Sequence, residues 1–156
     1  MTDRVDAGDA APAFSMPTDG GGTTSLAELS GKAVVLYFYP RDDTPGCTKE
    51  AIAFTGLIGE FRAAGAEVIG VSKDTVAKHD KFKTKYDLDV VLAADEDGSV
   101  CEAYGVWVEK NMYGKKSMGI ERSTFLIGGD GRIVRAWRKV KVDGHAEEVL
   151  AAVKAL

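Results

Sequence analysis

The chain has 156 residues, 45% hydrophobic and 28% charged, with a net charge of −4, which fits one domain, residues 1–156, with a real core. The acidic balance argues against nucleic-acid binding and against attraction to an anionic membrane, and no run approaches the roughly 18 apolar residues of a membrane span. The polar start lacks a secretory pattern, and the two cysteines, Cys47 and Cys101, lie too far apart for a Cys-x-x-Cys motif or a zinc knuckle, so a reducing cytoplasm is expected.

Gly20, Gly21 and Gly22 mark a loop rather than a domain boundary. The run Ala33-Val34-Val35-Leu36-Tyr37-Phe38-Tyr39 is continuously apolar, which predicts a central strand covered on both faces. Pro40 ends it. A helix is predicted over 44–64, with Thr44 as N-cap and Pro45 at its first position. Ala51, Phe54, Ile58 and Phe61 step by three and four along one face, and Cys47 shares that phase. A second buried strand is predicted over 67–72, then a polar helix over 76–86, a short strand over 90–93 and a short helix over 99–104. The basic stretch 109–119 reads as a loop or a hairpin. Strands over 123–127 and 132–140 flank Gly128-Gly129-Asp130-Gly131, which suits a tight turn. A last helix over 143–155 turns Ala146, Val149, Leu150 and Val153 inward.

This order predicts a mixed sheet with helices on both faces, compatible with a thioredoxin-like fold among other α/β sandwiches. Tyr37, Phe38 and Tyr39 are assigned to the core, while Trp107 fits core and pocket wall equally. Arg132, Arg135, Arg138, Lys139 and Lys141 read as the exposed face of a late strand. Asp95-Glu96-Asp97-Gly98 opens like a calcium loop but lacks the later ligands, so it reads as a polar turn.

The segment from Pro40 to Cys47 lies between a buried strand and a helix, where α/β sheets place their sites. In the first turn of that helix, the dipole and the free backbone N–H groups favour an anion at Cys47. A thiol of ordinary pKa, about 8.5, is only about 3% ionised at pH 7. Making it about 90% ionised takes roughly 3 kcal/mol. A helix end supplies about 0.3–2 kcal/mol, so a cation is needed as well. His79 and His145 lie in charge-rich helical surroundings with no motif. A buried arginine, permanently charged and forked, fits better. Taken alone, Cys47 reads as a small buried hydrophobe.

The pattern Pro40-x-x-x-Thr44-x-x-Cys47 resembles the active-site signature of peroxiredoxins. The longer run from Tyr39 to Ala51 is similar to the peroxiredoxin Q, or bacterioferritin-comigratory protein, subfamily. The segments Gly8 to Phe14, Tyr104 to Trp107 and Gly119 to Ile127 resemble it too, so the likeness spans nearly the whole chain. It implies a thioredoxin-like fold and a thiol peroxidase acting on hydrogen peroxide or organic hydroperoxides. Cys47 would attack one peroxide oxygen and become a sulfenic acid. Thr44 would hydrogen-bond the thiolate or the peroxide, Arg122 would supply the cation, and Pro40 would shield the pocket. Backbone N–H groups near Gly46 and Cys47 would complete the cradle, with Glu50 orienting Arg122. Each has a plainer reading: helix capping for Thr44, a favourable acid in an early turn for Glu50, a surface strand position for Arg122.

Many members of that subfamily carry a second, resolving cysteine where this chain has Ile52, and others carry it on the next helix, which here has none. Only Cys101 remains. It reads first as a packed structural cysteine, and second as a resolving thiol that reaches Cys47 after local unfolding. The expectation is a one-cysteine cycle closed by thioredoxin, glutaredoxin or a low-molecular-weight thiol. No cofactor or metal is expected, because the thiol carries the electrons, and the chain would act as a monomer or weak dimer. Two other functions compete. A thiol–disulfide oxidoreductase lacks support without Cys-x-x-Cys or a proline after Pro45. A redox sensor or holdase would use the same Cys47, with 108–118 as a partner loop.

Overall fold

The computed structural model describes residues 4–156. The chain opens with two short antiparallel strands, β1 (Ser15–Pro17) and β2 (Thr23–Ser25). The apolar run then forms β3 (Ala33–Phe38), buried along its whole length. Helices α1 (Pro45–Gly56) and α2 (Ile58–Ala63) lead to β4 (Ala66–Ser72), and α3 (Val76–Tyr86) leads to β5 (Val91–Ala94). After α4 (Ser99–Ala103), β6 (Trp107–Met112) and β7 (Lys115–Ile120) make a hairpin. Strands β8 (Ser123–Ile127) and β9 (Ile133–Arg138) and helix α5 (His145–Lys154) complete the fold.

The main sheet has the order β5-β4-β3-β8-β9. The first three strands are parallel, and β8 and β9 add antiparallel pairings. Continuous apolar runs suit β3 and β4 because both lie inside this sheet. Side chains alternate between its faces. Val35, Tyr37 and Tyr39 pack with α1, α2, α5 and Phe82 of α3. Val34, Leu36 and Phe38 pack with β1, α4, Val106 and Phe125. Same-handed crossovers from β3 to β4 to β5 put α1, α2 and α3 on one side. The other side is roofed by short α4 and N-terminal strand segments. Gly70 is required opposite Tyr37: a Cβ there would lie 2.7 Å from the tyrosine ring and hydroxyl.

Three local expectations are corrected. The helix over 44–64 is two helices, broken at Leu57 (φ −108°, ψ 5°). Gly56 and Gly59 flank the break and lower helix propensity by about 1 kcal/mol each relative to alanine. The apolar stepping hid it, since Ile58 and Phe61 stay on the sheet side. The strand over 132–140 is shorter, ending at Arg138, and Lys139 takes a positive φ of 53°. Arg138 is not a simple surface residue: its guanidinium donates to the carbonyls of Val5, Tyr104 and Gly105. Both histidines, which lie in charge-rich helical stretches of the sequence, are buried. The stretch 109–119 is a hairpin turning at Tyr113 and Gly114, both with positive φ, as a two-residue β-turn of the primed type requires.

Candidate active site

Cys47 sits in the first turn of α1, immediately beyond the C-terminal end of β3, and is 2% exposed. Pro45 starts the helix, and the first helical hydrogen bond runs from Thr48 N to Thr44 O at 2.9 Å. The N–H groups of Gly46 and Cys47 therefore have no carbonyl in the preceding turn and favour negative charge there.

Thr44 holds the N-cap position by backbone geometry but makes no capping hydrogen bond. Its hydroxyl donates instead to the carbonyl of Arg41 at 2.9 Å. With its proton so used, Thr44 Oγ1 faces other donors as an acceptor.

Arg122 lies in the two-residue link between β7 and β8, far from Cys47 in sequence and beside it in space. Its backbone carbonyl accepts a hydrogen bond from Val140 N at 3.0 Å, which fixes the link. Its side chain, 17% exposed, forks: Nη1 donates to Glu50 Oε1 at 2.7 Å, and Nη2 reaches Cys47 Sγ at 3.4 Å. Gly46 permits this approach, since a Cβ there would lie 3.2 Å from Nη2.

Glu50 is 1% exposed, one turn after Cys47. Its Oε2 is a buried side-chain atom without a hydrogen-bond partner, as is the Tyr37 hydroxyl. Burial lifts the carboxyl to about 7, against the pull of Arg122 in the other direction. Near neutral pH, then, the charge beside Arg122 is variable rather than fixed.

The loop that carries Pro40 and Thr44 is anchored from below by a network the sequence did not reveal. His79 of α3 is fully buried, with Nδ1 2.6 Å from Asp42 Oδ2 and Nε2 3.0 Å from the carbonyl of Ala93. Both ring nitrogens face acceptors, an arrangement that favours the doubly protonated ring. Burial opposes that charge, but the hydrogen bond and charge of Asp42, with Ala93 and Asp74, raise the histidine above its usual value. Tyr39 Oη donates to Asp42 Oδ1 at 2.5 Å, and Asp42 N donates to Asp74 Oδ2 at 2.7 Å. The available signal was the spacing of His79 with Phe82 and Tyr86 on one helical face. His145 differs: burial lowers it to about 4, so it is neutral, and its Nε2 lies 2.8 Å from Thr124 Oγ1.

Pro40 and Thr44 also line a cavity of about 1000 Å³ that opens between this loop and the β6–β7 hairpin. Trp107 is part of its wall, half-buried, with the Lys73 ammonium 4.2 Å from its ring centroid. Cys101 is elsewhere. It is fully buried, packed with the Val34–Leu36–Phe38 face of the sheet, whereas Cys47 packs with the Tyr37 face. Burial and Asp95 push its thiol far up, so it is a poor nucleophile. Asp95 itself accepts from the N–H groups of Val100 and Cys101, which is a helix-start role.

A thiol at a helix start beside an arginine, at the strand end of a thioredoxin-like sheet, defines a class: enzymes that react through a cysteine thiolate. The chain belongs to the AhpC/TSA family, which it matches over residues 7–136; it is a peroxiredoxin, a thiol-dependent peroxidase. A putative peroxiredoxin of Coxiella burnetii is 54% identical over 146 residues, covering 94% of this chain and 97% of its own. Peroxiredoxin Bcp of Bacillus subtilis is 46% identical over 150 residues, 96% of each chain. Among solved structures, the bacterioferritin comigratory protein of Xanthomonas campestris, described for its alkyl peroxide reduction activity, superposes with a TM-score of 0.87. It is 50% identical and covers 91% of this chain and 90% of that one.

Proposed function

We propose that this chain is one peroxiredoxin domain that reduces hydrogen peroxide and organic hydroperoxides through Cys47, in a one-cysteine cycle closed by an external thiol. The observation that carries the reading is the fork of Arg122 between Glu50 and the Cys47 sulfur. The Cys47 thiolate attacks one peroxide oxygen, and the O–O bond breaks. Sulfur loses two electrons and becomes a sulfenic acid, while the other oxygen leaves with a proton as water or alcohol. Arg122 stabilises the thiolate and the charge that develops on the peroxide oxygens. Thr44 accepts the peroxide O–H, because its own proton is held by Arg41. Pro40, at the cavity margin, limits water near the sulfur. Glu50 and Gly46 set the position of the guanidinium.

The sulfenic acid needs an outside reductant because the two cysteines pack on different faces of the sheet. Thioredoxin, glutaredoxin and small thiols are the candidate classes, in a reducing compartment such as the cytoplasm. A mass measurement after one equivalent of hydrogen peroxide, under non-reducing conditions, tests this. Wild type and Cys101→Ser are both expected to gain one oxygen and to turn over equally with an external thiol. A wild-type product lighter by two hydrogens, with turnover lost in Cys101→Ser, would overturn the one-cysteine cycle.

A further inference from the structure

Lys110 has no part in the scheme above, yet it is placed unusually for a lysine. It stands on β6, half-buried, in the wall of the cavity that Pro40 and Thr44 also line. Its aliphatic stem lies against Gly119 on β7, where a Cβ would come within 3.1 Å of its Cδ. Among the described residues no hydrogen bond or ion pair is made by its ammonium, and the acid that acts on it, Glu121, is paired instead with Arg4 at 3.1 Å. Partial burial and then the Arg122 charge work against the ammonium, while the Cys47 sulfur and Glu121 favour it. A partly desolvated cation without a partner, close to a second cation, is costly unless an anion joins it.

The rest of the wall has the same character. Arg41, Lys73 and Lys78 face the cavity with one acid, Asp74, in a chain whose net charge is −4. The local field is thus opposite to the charge of the whole protein and draws anions toward the active-site loop. Trp107 and Ile120 add apolar surface. The volume, about 1000 Å³, lies at the upper end of the roughly 300–1,000 Å³ usual for small-molecule sites.

We propose that this cavity receives the reductant of oxidised Cys47, a small thiol bearing a carboxylate or sulfonate, and that Lys110 holds its anionic group. The proposal rests on the one-cysteine cycle. The incoming thiolate attacks the sulfur of the Cys47 sulfenic acid. A sulfur–sulfur bond forms, the sulfur–oxygen bond breaks, and hydroxide takes up a proton and leaves as water. A second thiolate attacks the mixed disulfide, releases the small disulfide and returns Cys47 as its thiolate.

The test oxidises the protein with one equivalent of hydrogen peroxide and then mixes it with three thiols in stopped flow. These are 2-mercaptoethanesulfonate, neutral 2-mercaptoethanol and cationic thiocholine, each rate divided by that thiol's rate with a small disulfide to remove intrinsic reactivity. At low salt the sulfonate is expected to outpace the neutral thiol by about tenfold, with thiocholine slowest, and salt is expected to shrink the gap. The sulfonate-to-neutral ratio is expected to fall to near one in Lys110→Gln and to recover in Lys110→Arg. Equal normalised rates in wild type, or an undiminished ratio in Lys110→Gln, would overturn the proposal. So would charge selectivity in the oxidation step alone, seen by comparing a carboxylated hydroperoxide with tert-butyl hydroperoxide, since the anion would then belong to the peroxide. Mass measurement separates the layers. Mixed disulfides formed without regard to charge remove only this proposal, whereas an intramolecular disulfide formed before thiol addition removes the one-cysteine cycle beneath it.

Discussion

Arg122→Met is expected to slow the oxidation of Cys47 by hydrogen peroxide by about 10²–10³-fold, the range found when one preorganised donor to a developing charge is removed. Methionine keeps most of the stem and removes the fork. The sulfur loses a cation at 3.4 Å, and Glu50 loses the partner of its Oε1. Glu50 then takes a proton more readily, because burial already lifts it to about 7 and Arg122 was the opposing influence. That response limits the damage to stability, so the loss falls on the rate. Arg122→Lys is expected to be intermediate, since a single ammonium does not fork to both Glu50 and Cys47. Stopped-flow fluorescence with excess peroxide measures all three proteins. A rate for Arg122→Met within about threefold of wild type, far from the donor-loss range, would show that the helix start alone activates the thiol.

The second large effect is on stability. His79→Leu is expected to cost about 3–5 kcal/mol, because it leaves the Asp42 carboxylate buried without its charged partner. For a chain of this length that corresponds to a fall in Tm of roughly 6–20 °C. The pH dependence carries a sign that a packing defect does not share. The histidine is raised above its ordinary value of 6.5 in the folded protein. Its contribution is therefore complete below about pH 6.5 and is lost as pH rises through the higher, folded value. Wild type should lose stability as pH rises above about 6.5, and the variant should be flatter there. The groups facing the imidazole are Asp42 and Asp74, with the Tyr39 hydroxyl on the far oxygen of Asp42 and the exposed Lys78 ammonium 4.0 Å from the outer oxygen of Asp74. Urea unfolding of both proteins as a function of pH reads the difference. Parallel curves above pH 6.5 would mean that the ring is not a buried cation.

The sequence showed the site's scaffold better than its partners. The strand β3 was legible because both its faces are covered, so its residues form an unbroken apolar run. The start of α1 was legible because threonine followed by proline is a local signal. Arg122 was not, since nothing near it in sequence points to Cys47; the need for a cation followed from an energy estimate, and its position from family resemblance. The burial of His79 was not legible, because lysines surround it in sequence while the helix turns it inward. The separation of Cys47 from Cys101 was hidden for a different reason: which face of a sheet a helix covers is decided by crossover handedness and strand order, not by the residues of that helix. Thr44 marked the helix start correctly, but its hydroxyl turns to Arg41.

Cys47 is expected to react with peroxide as a thiolate held by Arg122. The most direct test is the second-order rate of wild-type oxidation by hydrogen peroxide, followed in stopped flow with Cys47→Ser as control. The expected result is a rate orders of magnitude above that of free cysteine at the same pH, with one sulfenic acid formed and no reaction in Cys47→Ser. A rate no faster than free cysteine would contradict it.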